Sequence, residues 1–499
     1  MMVTVGTRSP PKRARVRPTA RSPDRAARRT ARPTTTTRKE DRVKTHDDEQ
    51  TERRTLPTPI SRRRFLGATA GAAGALGLAA SGVTASAPRV ASRRRAQGAQ
   101  PEMWGFDTAR LDFAKAAAEL PAFKEKHPDV TINFREFAFD EMHDKLLAAL
   151  ASGNGAPDIA DVEIARFSSF LKGDRVPFVA LNDRIGAEIE NIYRPAASDP
   201  WTWEDQIYGL GNELNAVVLS YRTDVLEGLG IETPFETWDQ IIEAGKKITA
   251  DGETKTFALH DIAFGDLWQM GQHAGTSFFD AEGVFQGENP LMIEALQFLQ
   301  DLVYTHEVAG IAPAIATDDW MSPAYWAAFR ANKFTMLWGP PWHLGRLAVE
   351  LPDQAGKWAV QKLPTGLGES RATANFGGTG QCITEQSENP DIAFDLLAAG
   401  NLSVEGNLND FRARTVYPAY IPTYERPELQ EPSPYFGGAQ VGQIYASVAP
   451  ELPPFNQSPG FTDATLAMER VVITPVMNNR EEPAPALKEL VDQVAEMGS

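Results

Sequence analysis

Residues 101–160 read PEMWGFDTARLDFAKAAAELPAFKEKHPDVTINFREFAFDEMHDKLLAALASGNGAPDIA. Met103-Trp104-Gly105-Phe106 is a short apolar run that predicts a strand. Phe113, Ala117, Leu120 and Phe123 then recur at helical spacing over residues 110–126, with Pro121 interrupting the stripe. Val130, Ile132 and Phe134 alternate, the period of a second strand. Met142, Leu146, Leu147 and Leu150 return to helical spacing, and Gly153 and Gly155 stop that helix. Pro157-Asp158-Ile159-Ala160 opens a third strand. Strands separated by single helices build βαβ units and a mainly parallel sheet, whose ligand crevice lies beyond the carboxyl ends of its strands. The loops after Phe106, Phe137 and Ala160 are therefore the places to look for a site.

The α/β pattern continues downstream. Ala216 to Tyr221 is an apolar run, Trp238 to Ile248 an amphipathic helix, and Phe334 to Trp338 a buried strand that ends at Gly339-Pro340-Pro341. Ile383 precedes Ser387-Glu388-Asn389-Pro390, where the proline suits a helix start and Ala393, Leu396 and Leu397 share one face. Leu487 to Met497 forms a last amphipathic helix. No repeat of solenoid or propeller length is present. A chain of 499 residues exceeds one ordinary core, so two or three lobes are expected.

The net charge of −16 hides a split. Residues 1–100 hold 23 Lys and Arg against 7 Asp and Glu, whereas residues 101–499 hold 27 against 59. Residues 1–60, rich in Arg, Thr and Pro without an apolar period, predict a disordered basic leader. Ser61-Arg62-Arg63-Arg64-Phe65-Leu66-Gly67, followed by a weakly apolar stretch, resembles a twin-arginine export signal over 61–85. Cleavage is expected after Val83-Thr84-Ala85, and residues 86–100 read as a linker. The twin-arginine machinery is thus one expected partner, and a periplasmic or extracellular location follows. An acidic body argues against nucleic acid or anionic lipid as a partner. The single cysteine, Cys382, excludes an intrachain disulfide and a cysteine-rich zinc site.

Several ordered motifs carry a resemblance. Phe123-Lys124-Glu125-Lys126-His127-Pro128-Asp129-Val130 precedes the second strand and Ala156-Pro157-Asp158-Ile159 the third. Ile207-Tyr208-Gly209-Leu210, Tyr221-Arg222-Thr223-Asp224-Val225-Leu226 and Pro234-Phe235-Glu236-Thr237-Trp238-Asp239 follow. Met336 to Trp342 and Gly377-Gly378, leading to Ser387-Glu388-Asn389-Pro390, close the series. In this order the motifs resemble the extracellular solute-binding proteins of sugar-type ABC importers, the maltose-binding-protein-like family. The resemblance implies a two-lobed periplasmic-binding-protein fold, each lobe a mainly parallel sheet flanked by helices, joined by a multi-crossover hinge. It implies lobe 1 over 101–213 and 364–415, and lobe 2 over 214–363 and 416–499, with crossovers near Asn212, Pro364 and Thr415. It further implies a monomer that takes a sugar between its lobes and presents it to ABC permease subunits in the membrane. The family's lipid-anchor cysteine is missing, and a proline doublet stands before Trp342 where members usually carry one proline.

A pyranose offers an apolar C–H face to aromatic rings and a rim of hydroxyls that both donate and accept hydrogen bonds. Aromatic candidates at predicted strand ends or loops are Phe106, Trp268, Trp338, Trp342 and Tyr417. Polar candidates are Asp107 after strand one, Asp161, Glu163 and Arg166 after strand three, Asn215 at the first crossover and Gln269 beside Trp268. Asn375, Gly377 and Gly378 stand at the return crossover. Trp238 and Trp104 read as core residues. Asp161, Glu163 and Arg166 also fit a surface ion-pair group, Asn215 a turn cap, and Gly377-Gly378 a backbone hinge.

Other chemistries fail on spacing. His306-Glu307 has Gly310 where a zinc-protease helix needs its second histidine. No phosphate-binding glycine loop is present, and Gly377-Gly378-Thr379-Gly380 does not fit a dinucleotide fingerprint. Neither a metal nor a cofactor is expected, and Cys382 reads as buried and inert. The leading expectation is a non-enzymatic exported receptor for a mono- or oligosaccharide. An exported glycoside hydrolase or lyase, which needs two carboxylates about 5 to 9.5 Å apart, is the alternative from another class, and a receptor for a polyamine or other non-sugar solute is a variant.

Overall fold

The computed structural model describes residues 100–312 and 322–497. The basic leader, the twin-arginine segment and the linker up to residue 99 lie outside the described residues. In chain order the elements that position the site are β1 (Glu102–Gly105), α1 (Thr108–Glu119), β2 (Asn133–Glu136), α2 (Phe139–Ser152), β3 (Ile159–Glu163), β4 (Gly209–Leu210) and β5 (Val218–Arg222). They continue with α3 (Trp238–Ile248), α4 (Gly265–Ala274), α5 (Pro290–Tyr304), β6 (Met336–Gly339), α6 (Pro341–Glu350), β7 (Trp358–Gln361) and β8 (Thr379–Ile383). The last are α7 (Pro390–Asn401), α8 (Val404–Arg414), α9 (Phe461–Met468) and α10 (Pro483–Met497).

Two sheets organise them. The first has the order β2-β1-β3-β8-β4, and the second β6-β5-β7. Around the first, α1 packs against α7 and α8; around the second, α4 and α10 pack against α5. Local signals set the helix ends. Asp107 caps α1 by accepting from Ala109 N at 2.8 Å, Gly153 ends α2 at φ 72°, and Thr237 with Gln240 forms a capping box on α3. Trp238 lies in the core, its indole N–H donating to His273 Nε2 at 2.8 Å. Burial holds His273 down to about 4, so it stays neutral and accepts that bond.

Three details differ from the reading of the sequence. β2 starts at Asn133, because its register with β1 begins at Glu102 opposite Asn133 and leaves Val130 without a strand partner. β3 runs on to Glu163, because β8 keeps pairing with it up to Thr379 opposite Glu163. Asp161 is therefore inside the sheet rather than in the following loop. Parallel pairing holds for β1–β2 and β1–β3, while β8 is antiparallel to β3 and β4, and β5 is antiparallel to both its neighbours. Those strands enter from the hinge rather than from a local βαβ return, which frees them from the parallel rule.

Three crossing segments meet between the sheets. The central one, residues 212–217, is flanked on one side by residues 417–419, with Leu214 N–H donating to Tyr417 O and Ala419 N–H to Asn212 O. On its other side Val217 N–H donates to Ala374 O and Phe376 N–H to Asn215 O. The return crossing thus pairs at residues 374–376; ahead of it, Leu363 N–H still bonds Ala372 O and Arg371 N–H bonds His273 O.

A buried charge cluster ties these crossings to α1 and α8. Arg110 of α1 reaches Glu213 Oε1 at 2.6 Å, Asn212 Oδ1 at 2.7 Å and Asp161 Oδ1 at 3.7 Å. Arg414 at the end of α8 pairs with Asp410 and lies 3.6 Å from Glu213, while Asn212 Nδ2 donates to Asp410. Three carboxylates thus share two guanidinium groups. Burial, opposed by Arg110 and reinforced by Glu213 and Asp107, pushes the Asp161 carboxyl up to about 6.

Two tests follow from this packing. A Cβ on Gly380 would lie 2.4 Å from Trp201 Cδ2, and Trp201 is buried with its indole N–H on Val162 O at 2.9 Å. Gly380→Ala should therefore cost about 1–3 kcal/mol in urea unfolding, and an unchanged midpoint would show that Trp201 has room to move. For Asp161, between the ordinary value of 3.8 and about 6 the folded carboxyl keeps a proton that the unfolded chain has lost. Its contribution to stability is then greatest at low pH and falls as pH rises through that window, by up to about 3 kcal/mol. Asp161→Asn should gain relative to the parent by that order between pH 4 and pH 7 in parallel urea titrations. A difference that is flat with pH would mean that Asp161 ionises normally.

Candidate ligand-binding cleft

The carboxyl ends of β1 and β3 and the start of α2 converge on one group of side chains. Phe106 packs edge-on to Phe139 with centroids 5.0 Å apart and lies 5.2 Å from the His143 ring. The Arg166 guanidinium lies over Phe139 at 5.2 Å and pairs with Asp140 at 2.5 Å. Burial, together with the Arg166 charge and against the pull of the Phe139 carbonyl, holds His143 down to about 3. The neutral ring donates Nδ1–H to Phe139 O at 2.8 Å and accepts Glu163 N–H on Nε2 at 3.2 Å. One histidine thus joins the end of β3 to the first turn of α2. Glu163 Oε2 accepts from Ala165 N at 2.7 Å, which shapes the turn that presents Arg166.

A second group forms at the crossings and meets the first, since Ile164 N–H donates to Gly378 O at 3.0 Å. Trp342, at the start of α6, is half-buried, with its indole N–H directed to Phe376 O at 3.4 Å. Gly377 and Gly378 take φ 70° and 127°. A Cβ at Gly377 would sit 3.3 Å from Trp342 Nε1, and one at Gly378 would sit 2.7 Å from Asn215 Nδ2. Both glycines are required by backbone conformation and by close approach. Asn215 and Asn375 flank this point on paired crossings, with Ala216 opposite Asn375. Buried Asn215 Oδ1 accepts no hydrogen bond and Asn375 Nδ2 donates none among the described residues. These groups, an acceptor and a donor on paired crossings, are ones that hydroxyls can satisfy, since a hydroxyl both donates and accepts.

Residues 457–463, at the start of α9, also contact the segment that follows β3. Thr462 of α9 donates to Ala165 O at 2.8 Å and shares a 2.6 Å contact with Ser168 Oγ. Gln457 reaches Pro200 O at 2.9 Å, and Lys172 pairs with Asp463 at 2.8 Å.

The sequence candidates therefore separate. Phe106, Asp107, Glu163 and Arg166 stand together at the strand ends; Asn215, Trp342, Asn375, Gly377 and Gly378 stand together at the crossings. Asp161 is fully buried beneath them in the charge cluster. Trp338 lies in the second core between Trp238 and Phe257, with centroids 5.8 and 4.5 Å away, which leaves no face for a ligand. Tyr417 is packed against Tyr424 and Tyr445. Gln269 turns back on its own helix, donating to Gly265 O at 3.2 Å. Trp268 is buried among Phe376, Phe455 and Phe461 and supports the cleft floor rather than lining it. Sequence reasoning missed Phe139, Asp140 and His143, although they follow the second strand end, and Gln457 and Thr462, which no motif marks. Among the described residues no group of three or more His, Cys, Asp or Glu side chains is arranged to hold a metal.

The chain is similar to known proteins over most of its body. The profile described as bacterial extracellular solute-binding protein matches residues 109–399. The chain is 30% identical over 362 residues to the arabinooligosaccharide-binding protein of Halalkalibacterium halodurans, covering 71% of this chain and 79% of that one. It is 28% identical over 365 residues to the lactose-binding protein of Rhizobium radiobacter, covering 71% and 83%. Among solved structures, the GacH receptor of Streptomyces glaucescens superposes with a TM-score of 0.67 at 17% identity, over 80% of this chain and 98% of that one. Maltose-bound MalE3 of T. maritima gives 0.67 at 20% identity, over 80% and 99%. These structural likenesses establish the two-lobed fold, and the profile match together with the relatives establishes descent: the chain belongs to the bacterial extracellular solute-binding protein family.

Proposed function

We propose that this chain is the exported sugar receptor of an ABC-type importer. It captures a mono- or oligosaccharide in the cleft between its lobes and delivers it to the membrane permease, without catalysing a reaction. The observation that carries this reading is the crossing cluster, where the half-buried Trp342 ring and the Asn215 amide approach the adjacent Gly377 and Gly378, and Asn215 Oδ1 and Asn375 Nδ2 are left without partners among the described residues. The names of the relatives, arabinooligosaccharide-binding and lactose-binding, support an oligosaccharide as the solute. No described helix is long and apolar enough to cross a membrane. The twin-arginine route to the periplasm or cell surface rests on the Arg62-Arg63-Arg64 segment. Lobe 1 comprises residues 101–213 and 364–415, lobe 2 residues 214–363 and 416–499. Phe106, Asp107, Glu163 and Arg166 line one wall of the cleft, and the crossing residues its floor.

Thermal melting against a panel of arabino-, galacto- and malto-oligosaccharides tests the function. A ligand at one hundred times Kd should stabilise the protein by about 2.7 kcal/mol. No shift with any sugar, or release of reducing ends, would overturn the reading. Trp342→Ala should weaken the responding sugar at least tenfold, about 1.4 kcal/mol, in calorimetric titration. Unchanged affinity would assign Trp342 to packing alone.

A further inference from the structure

A cavity of about 690 Å³ lies on the first lobe and shares no residue with the cleft groups described above. One wall is the segment from Leu171 to Ala180, the other is the hairpin Thr202–Trp203 and Gln206–Ile207 with Tyr208 behind it, and Glu385 closes one end. The base is rigid. Val179 N–H donates to Ile383 O and Glu385 N–H to Pro177 O, so this wall extends the first sheet. Phe178 is buried against Phe167 and Phe170, and Tyr208 rests on Phe167 with centroids 6.4 Å apart.

The hairpin tip is unusual. Glu204 and Asp205 both adopt positive φ, 48° and 62°, positions that a two-residue hairpin normally gives to Asn or Gly. The turn is nevertheless pinned, since Asn182 Nδ2 donates to Asp205 O at 3.0 Å and Asn182 Oδ1 accepts from Ile207 N at 2.9 Å. It sets the half-buried Trp203 ring and the Glu204 carboxylate side by side at the cavity wall. Trp203 makes no ring–ring contact among the described residues. Opposite stand Asp174 and Arg175, the latter paired with Glu385 at 2.8 Å.

From this juxtaposition we propose a second carbohydrate-binding site, on the outer surface of lobe 1, that takes a short segment of a neutral polysaccharide or long oligosaccharide. A pyranose or furanose face would pack on Trp203 and Tyr208, with Glu204 and Asp174 accepting from its hydroxyls. The volume lies within the range of small-molecule sites. Three carboxylates against one arginine disfavour an anionic sugar polymer. Such a site would hold the receptor close to the polymer from which its transported sugar is released. The proposal goes beyond the cleft reading and stands apart from it, because its residues are separate.

Affinity electrophoresis of the mature protein in native gels containing soluble arabinan, galactan, starch or polygalacturonate tests it. Retardation is expected in at least one neutral gel, at least twofold reduced in Trp203→Ala and in Glu204→Gly, and retained in Trp342→Ala. Glu204→Gly relieves the positive φ, so it should melt no lower than the parent and keeps the test valid if Trp203→Ala folds poorly. Absence of retardation in every neutral gel, retardation by polygalacturonate alone, or retardation that survives Glu204→Gly would overturn the proposal. Loss of retardation in Trp342→Ala would assign the effect to the cleft instead. A failure of the cleft reading, by contrast, appears as a missing sugar response in thermal melting with this retardation intact.

Discussion

The arrangement of the body depends on keeping Arg110 and Arg414 paired while they are buried. Glu213 stands between them, 2.6 Å from one and 3.6 Å from the other, and it belongs to the central crossing on which both other crossings pair. Removing one member of such a cluster leaves an uncompensated charge in a low-dielectric setting, at a cost of about 3–5 kcal/mol. The cluster therefore fixes the first crossing relative to α1 and α8, which pack against each other beside the first sheet. Hydrogen bonds along the crossings carry that fixed position to the second sheet. The central crossing is thus anchored to α1 and α8 at one end and hydrogen-bonded to the other two crossings along its length.

The meeting of the crossings with the end of β3 is a consequence of that anchor. Because β8 pairs with β3 up to Glu163, residues Gly377 and Gly378 arrive directly over the end of β3. Side chains there would strike Trp342 and Asn215. Glycine at both positions lets the Trp342 indole and the Asn215 amide approach this backbone closely. The other wall owes its order to His143, which stays neutral because burial outweighs its bond to Phe139 O. A charged ring could not accept Glu163 N–H, so the two loops would lose their common tie.

Local patterns were the readable part of the sequence. The spacing of Phe113 to Phe123, the break at Pro121, the stop at Gly153 and the span Trp238–Ile248 all reappear as built elements, since each is set by periodicity and a cap within one segment. Trp342 and the glycine pair were legible because a proline turn and two adjacent glycines mark unusual backbone. Trp338, Tyr417 and Gln269 are buried for one reason the sequence does not show: a strand end or helix does not say which face the rest of the chain will cover. Asp161 was placed in a loop because its partner β8 lies more than two hundred residues away. Arg110 was overlooked altogether, because a lone arginine in an amphipathic helix looks solvated until Glu213 is brought against it.

The most direct measurement is a crystal structure of the mature protein grown with the oligosaccharide that raises its melting temperature most. The expected result is one sugar ring against the Trp342 indole, with hydroxyls on Asn215 Oδ1 and Asn375 Nδ2 and the Phe106–Arg166 wall closed over it. A sugar bound only outside the cleft, or a cleft that holds a charged non-sugar solute on the Glu163 and Arg166 side chains, would contradict the central claim.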